Sequence, residues 1–326
     1  MENILKIENL KIGIKNKNKT VYPVENVNFE IKKGETFALV GESGSGKSMT
    51  ALSVMGLLQS WNSYLDTEIT GSIQLKGKDG KYYELTDLDD KGRDKIRGND
   101  ISMIFQEPLT ALNPVVAVGK QLMEAVLVHE KLTREQARKR AVELLEQVEI
   151  PNAEERFYYF PHQFSGGQLQ RIMIAMAISC NPTCLIADEP TTALDVTIQK
   201  QILNLLKKLQ KENNMSIFII THDLAVVSEF ADKVAVMYEG NIVEFGAVNQ
   251  IFKRPEHPYT ELLLSSIPTL DTIPGTRLLT KDDFLYKPEK EANRKMFAPK
   301  HKDNISFQML DEGHYVSTAF VQGGVA

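Results

Sequence analysis

The sequence predicts an α/β fold built on a largely parallel sheet, and three observations predict it. Short apolar runs recur at residues 36–40, 183–187 and 216–221, each about one strand long and each ending in polar residues. The first run opens into the glycine-rich stretch GESGSGKS and then a helix-like segment ending near Leu58. The second ends in Asp188 and Glu189 and the third in His222, so polar chemistry collects at the carboxyl ends of strands, where open α/β sheets bind ligands.

Composition bounds the rest. The 326 residues are 42% hydrophobic and 25% charged, an ordinary globular mixture. No apolar run approaches the roughly 20 residues needed to cross a bilayer, and MENILKIENLKIG lacks the pattern of a secretory signal, so a cytoplasmic chain is expected. Cys180 and Cys184 have no second ligand pair near them and read as buried, inert thiols. A net charge of −5 without a dense basic run argues against nucleic acid as a partner.

Along the chain, residues 4–12, 24–31 and 69–75 alternate like the strands of a small antiparallel sheet. GESGSGKS then fits G-x-x-x-x-G-K-[ST]. In such a loop the backbone N–H groups of Gly41, Glu42, Ser43, Gly44, Ser45 and Gly46 turn inward around phosphate, and the helix opening at Lys47, Ser48 and Met49 presents its positive end. Lys47 is expected to reach the β- and γ-phosphates, and Ser48 to give its hydroxyl to Mg²⁺. ISMIFQEP leaves Gln106 at a strand end, placed to touch metal or water. Residues 107–164 read as helical, with Thr133 a cap and Pro151 a stop. In FSGGQLQR, Ser165 caps a helix through Gly166, Gly167 and Gln168, a second phosphate-seeking helix end. Asp188 suits the Mg²⁺ shell, Glu189 suits polarisation of an attacking water, and His222 on the same sheet edge suits contact with the γ-phosphate.

In order and spacing these stretches resemble the ATP-binding cassette (ABC) family over roughly residues 4–250: Walker A loop, Gln106 in the Q-loop, Ser165 to Gln168 as signature, LIADE as Walker B, TALD as D-loop and His222 as switch histidine. The resemblance implies a P-loop cassette with a RecA-like parallel core. It also implies that the signature of one subunit closes on the ATP held by another. The implied division is residues 1–106 and 165–250 as nucleotide-binding core with its antiparallel β subdomain, 107–164 as helical subdomain, and 251–326 as a C-terminal extension. Cassettes stack adenine on an aromatic residue before the Walker A loop; Tyr22 is the nearest, either that platform or an ordinary packed tyrosine.

Two details resemble the D-type ATP-binding subunits of oligopeptide and dipeptide importers: FQEPLTALNPVVAVGKQL, and HPYTELLLSSIP opening the extension, with GHYV matching its end. The resemblance implies an ATPase that powers peptide import with ATP and Mg²⁺. Its partners would be a second cassette subunit in a heterodimer, two transmembrane permease subunits and, indirectly, an external peptide-binding protein. It would sit peripherally on the cytoplasmic face of the membrane. A nickel-type importer ATPase shares much of the first detail and stays an alternative. So does a soluble cassette ATPase acting on ribosomes or DNA, although the second cassette, long coiled coils or zinc modules of such proteins are not visible here. Several peptide-importer ATPases carry an iron–sulfur cluster on tail cysteines. Here Lys295, His301 and Thr318 stand in those places, so no cluster is expected, and the tail is expected to pack through Phe297, Tyr315 and Val316 against the partner cassette, or else to be disordered.

Overall fold

The computed structural model describes residues 2–16, 19–58, 66–192, 194–265 and 307–317. Two sheets lie at its centre. The smaller is antiparallel, in the order β2 (Lys19–Lys32), β1 (Asn3–Asn16), β4 (Asp66–Lys76), β5 (Tyr82–Glu84). The larger is built on β3 (Thr36–Val40), β6 (Ile101–Ile104), β7 (Cys184–Asp188), β8 (Ser216–Thr221) and β9 (Lys233–Tyr238). These pair in parallel in the order β9-β3-β8-β7-β6. On the β9 side the sheet continues antiparallel through β10 (Asn241–Ala247), β12 (His314–Ser317) and β11 (Phe307–Asp311).

The parallel strands are apolar without alternation because both faces are covered. Phe37, Leu39, Ile186, Phe218 and Ile220 face the antiparallel sheet, where Phe29 stacks on Phe37 at 4.6 Å between ring centroids. Their neighbours in sequence, Ala38, Val40, Leu185, Ala187, Ile217 and Ile219, face the opposite way into a core shared with the helices. Each large side chain so buried contributes about 1.5–3 kcal/mol of transfer free energy. This two-sided burial fixes the register that brings the strand ends to one edge.

The helical stretch after Gln106 divides into Val118–His129 and Arg134–Gln147. The break is a capping box at Thr133, whose hydroxyl accepts from the Gln136 N–H while Gln136 returns the bond to the Thr133 N–H. Cys180 and Cys184 are both free and buried, and burial pushes the Cys184 thiol up to about 12, so it is inert as a nucleophile or ligand.

The end of the chain departs from expectation. Tyr315 and Val316 pair with Phe245 and Glu244 of β10 in the chain's own sheet, and the Tyr315 ring stacks on Phe245 at 4.6 Å. Val316 is buried there, not turned toward a partner cassette. The physical reason is the edge of β10: its unpaired backbone groups are satisfied by β12, and the buried Glu244 carboxylate is satisfied by His314 Nε2 at 2.8 Å. Phe297, Lys295, His301 and Thr318 lie outside the described residues.

Candidate functional site

At the end of β3 the chain leaves the sheet as a loop that only glycine can form. Gly41 has φ +154°, and a Cβ there would lie 2.1 Å from the Met237 carbonyl oxygen; Gly46 has φ +107°, and a Cβ would meet the Pro23 carbonyl oxygen at 2.4 Å. Behind the loop the Gly240 N–H donates to the Ser45 carbonyl at 3.1 Å, and the Glu42 N–H donates to the Tyr259 hydroxyl at 2.9 Å. Gly46 begins the helix Lys47–Val54 without any side-chain cap, which leaves the first-turn N–H groups for an anion. Ser43 and Gly44 are exposed at the rim, Met49 is half-buried, and Gly44 at φ +83° has open space where a Cβ would stand.

Lys47 is nearly buried and turned into this loop, donating to the carbonyls of Gly41 at 2.8 Å and Glu42 at 2.7 Å. Burial lowers its pKa, against the pull of Glu189 and Asp188, which favour the charged form. Ser48 donates to Asp188 Oδ1 at 3.2 Å, and burial raises the Asp188 carboxyl to about 6. A buried carboxylate facing a hydroxyl, with its charge disfavoured, is a donor set suited to a hard cation.

Glu189 follows at φ +47°, a left-handed conformation that a non-glycine residue adopts at a cost of about 1–3 kcal/mol. The turn swings its carboxylate among three donors or partners: Gln106 Nε2 at 2.9 Å, Thr192 Oγ1 at 2.8 Å and His222 Nδ1 at 3.0 Å. Burial would raise its pKa, but the bonds from His222 and Thr192 outweigh that and hold it below the usual carboxylate value. Gln106 therefore bonds Glu189, not the Ser48–Asp188 pair, although it lines the same cavity of about 720 Å³ with both. Sequence reasoning did not foresee the Thr192 bond; the signal was its position three residues after Glu189 in DEPTT.

Gly166 of the signature stretch lines a cavity of about 510 Å³ with Gln106 and Thr192, but no described hydrogen bond joins it to the Glu189 carboxylate. Ser165 accepts from the Gln168 N–H at 3.4 Å and Gln168 Oε1 accepts from the Ser165 N–H at 3.1 Å, so the helix Gly166–Ile178 begins with a closed, self-contained cap. Ser165 and Gly166 are exposed, and Gly167 is required because a Cβ would lie 2.7 Å from Ile198. Tyr22 is also exposed, one residue before the Pro23 carbonyl that backs Gly46, and Lys11 Nζ sits 4.2 Å from its ring centroid.

Comparison with known proteins agrees with this geometry. Residues 24–192 match the ABC transporter family, and residues 243–290 match the C-terminal region of oligopeptide/dipeptide transporters. The chain belongs to the ABC transporter family. As a cassette of that family it binds nucleotide and is an ATPase, and similar sequences include subunits named for peptide transport. It is 53% identical over 83% of its length, and 80% of the relative's, to the oligopeptide transport ATP-binding protein AppD of Bacillus subtilis (strain 168). It is 52% identical to the dipeptide transport ATP-binding protein DppD of the same organism, over 83% of this chain and 78% of that one. Among solved structures, the dimeric cassette MJ0796 in a post-hydrolysis state with ADP and phosphate superimposes with a TM-score of 0.63 at 30% identity, covering 75% of this chain and 99% of that one. The cassette cbiO1 from Clostridium perfringens gives 0.62 at 30% identity, covering 79% and 94%.

Proposed function

We propose that this cassette is the ATP-hydrolysing subunit of a peptide importer. The observation that carries the reading is residues 243–290, which match the oligopeptide/dipeptide C-terminal region, on a cassette about half identical to subunits named for peptide transport. The uncapped loop Gly41 to Ser48 holds the phosphates of ATP, with the N–H groups of Ser43, Gly44, Gly46 and Met49 turned to them and the Lys47 ammonium leaving its carbonyl partners for the β- and γ-oxygens. Contrary to the expectation from the loop pattern, the Glu42 and Ser45 N–H groups are already taken, by the Tyr259 hydroxyl and the Glu42 carbonyl. Ser48 and Asp188, with Gln106 beside them, are the residues that would hold Mg²⁺, which when bound supplies neutralisation of phosphate charge. Glu189 orients the water and takes its proton as the water oxygen attacks the γ-phosphorus and the bond to the bridging oxygen breaks, leaving ADP and phosphate. His222 and Gln106 keep the Glu189 carboxylate turned to that place. Tyr22 offers its ring to the base once Lys11 moves aside.

Ser165, Gly166, Gly167 and Gln168 act on the ATP of a second cassette, so the working form is a head-to-tail pair, here a heterodimer with a similar subunit. The pair sits on the cytoplasmic face of the membrane beneath two permease subunits fed by an external peptide-binding protein. A groove of about 770 Å³ on the helical subdomain, where Met123, Leu127, Val128, Phe157 and Tyr158 lie among the charged Lys120, Glu124, Arg134, Glu135 and Arg138, supports that docking. Val128 and Tyr158 are 68% and 58% exposed there, an apolar pair that a permease helix would cover. Among the described residues no helix is long and apolar enough to cross a membrane. The test is reconstitution with the permeases and the binding protein in vesicles: ATPase activity should rise with peptide-loaded binding protein. Stimulation by nickel-loaded binding protein alone, or by ribosomes, would overturn the peptide reading.

A further inference from the structure

The C-terminal region is bolted to the phosphate loop at one peptide bond. The peptide between Gly41 and Glu42 is held at both ends: its carbonyl accepts from Lys47 Nζ at 2.8 Å and its N–H donates to the Tyr259 hydroxyl at 2.9 Å. Tyr259 is wholly buried and packs on Tyr238, with ring centroids 4.4 Å apart. Its backbone is equally constrained, because the Tyr259 N–H donates to His257 Nδ1 at 3.1 Å. Glu244 in turn holds that segment, accepting from the Glu256 and His257 N–H groups at 3.0 and 2.9 Å, while its carboxylate also pairs with His314 of β12. A continuous set of bonds thus runs from the terminal hairpin through Glu244 to the loop that faces phosphate.

We propose that Tyr259 is a positioning residue for nucleotide binding: its hydroxyl sets the orientation of the peptide between Gly41 and Glu42, and so the carbonyl against which the phosphates compete for Lys47. This rests on the reading of Lys47 as the phosphate-binding cation. A peptide free to rotate would leave the loop unprepared for phosphate and let the carbonyl follow the ammonium, so ATP would have to order both. The effect falls on ground-state binding, because Tyr259 bonds none of Glu189, Gln106, Thr192 or His222 in the described hydrogen bonds. The same loss applies to any nucleoside triphosphate, since the peptide lies at the phosphate end and not at the base.

The experiment uses the full chain. Tyr259→Phe keeps the ring and removes the hydroxyl; the dissociation constant and KM for ATP should rise about fivefold, the scale of one neutral hydrogen bond. kcat at saturating ATP should stay within about twofold, a split that general loosening of the fold would not produce. In a Lys47→Ala background the same change should add nothing to the loss, because Tyr259 acts through the site of Lys47. An unchanged KM in Tyr259→Phe, or an equal further loss without Lys47, overturns the proposal. If Lys47→Ala itself leaves ATP affinity intact, the reading of the phosphate site fails instead. Should the variant not fold, amide exchange of the nucleotide-free wild-type chain decides: slow exchange at the Glu42 amide supports the bond, and exchange at the rate of an open loop overturns it.

Discussion

Two helix ends to which the proposed function gives the same kind of ligand are built in opposite ways. The helix Lys47–Val54 starts at a left-handed glycine with no cap, and its loop is supported from behind by Pro23, Met237, Gly240 and Tyr259. The helix Gly166–Ile178 starts at a serine whose capping box takes the Gln168 and Ser165 N–H groups, and its first residues are exposed. The first end has no side-chain cap and is backed by the fold, which suits the phosphate-binding role proposed for it. The second carries its own capping box and stands exposed, which suits the proposed encounter with phosphate brought by a neighbouring cassette. Under the proposed function, the difference separates holding a nucleotide from sensing one.

The largest expected effect lies between the two ends, at the carboxylate that consumes what they hold. Glu189→Gln should lower ATP turnover by about 10²–10⁴-fold while ATP binding persists and the paired state accumulates, read by phosphate release and by light scattering. Turnover near wild type would remove Glu189 from the reaction. Next, Lys47→Ala strikes the first end alone, and ATP affinity should fall by more than tenfold, since charge-assisted bonds of about 1.5–3 kcal/mol are lost; calorimetric titration checks it. Ser165→Arg strikes the second end alone. Nucleotide affinity of the single chain should stay within about twofold while turnover of the assembled pair drops about tenfold or more, because a bulky mobile cation occupies the place where a helix end meets phosphate. If Ser165→Arg weakens ATP binding by the isolated chain as much as Lys47→Ala does, the two ends are not separate in function.

Much of this arrangement was legible in the sequence because each part is a local pattern. Thr36–Val40 followed by GESGSGKS, and Ser165 followed three residues later by Gln168, announce a strand-loop-helix and a capped helix within a dozen residues. What escaped is what the fold brings together across long separations. Nothing near Tyr259 says that its hydroxyl meets Glu42, and nothing near Tyr315 says that it pairs with Phe245. Gln106 reads from sequence only as a residue at a strand end placed for metal or water; its partner in the structure is Glu189, set by a left-handed turn at a residue type that rarely adopts one.

The smallest expected effect concerns the support behind the first end. Burial lowers the His257 imidazole to about 3, well below its ordinary value, and its Nδ1 must stay unprotonated to accept from Tyr259. The unfolded chain therefore binds this proton more readily at every pH between those limits. The stability that neutral His257 contributes is fully present above about pH 6.5 and is lost as pH falls through that value toward 3. Between pH 7 and 5.5 the loss from this group should be about 1 kcal/mol. Urea unfolding of wild type and His257→Gln at both pH values checks it: the wild type should lose about that much more than the variant. Equal losses would mean that the imidazole is not kept neutral by the fold.

The pairing of β12 with β10 also sets an order of events during synthesis. β9 and β10 leave the ribosome well before the strand that closes their sheet, and until then β10 offers an open edge of backbone donors and acceptors. A nascent or truncated cassette is in that period a template for any extended chain nearby, including the same strand of another copy. The few residues of β12 thus work as a completion signal: a chain that ends before them would carry every residue of its phosphate site and still be prone to self-association.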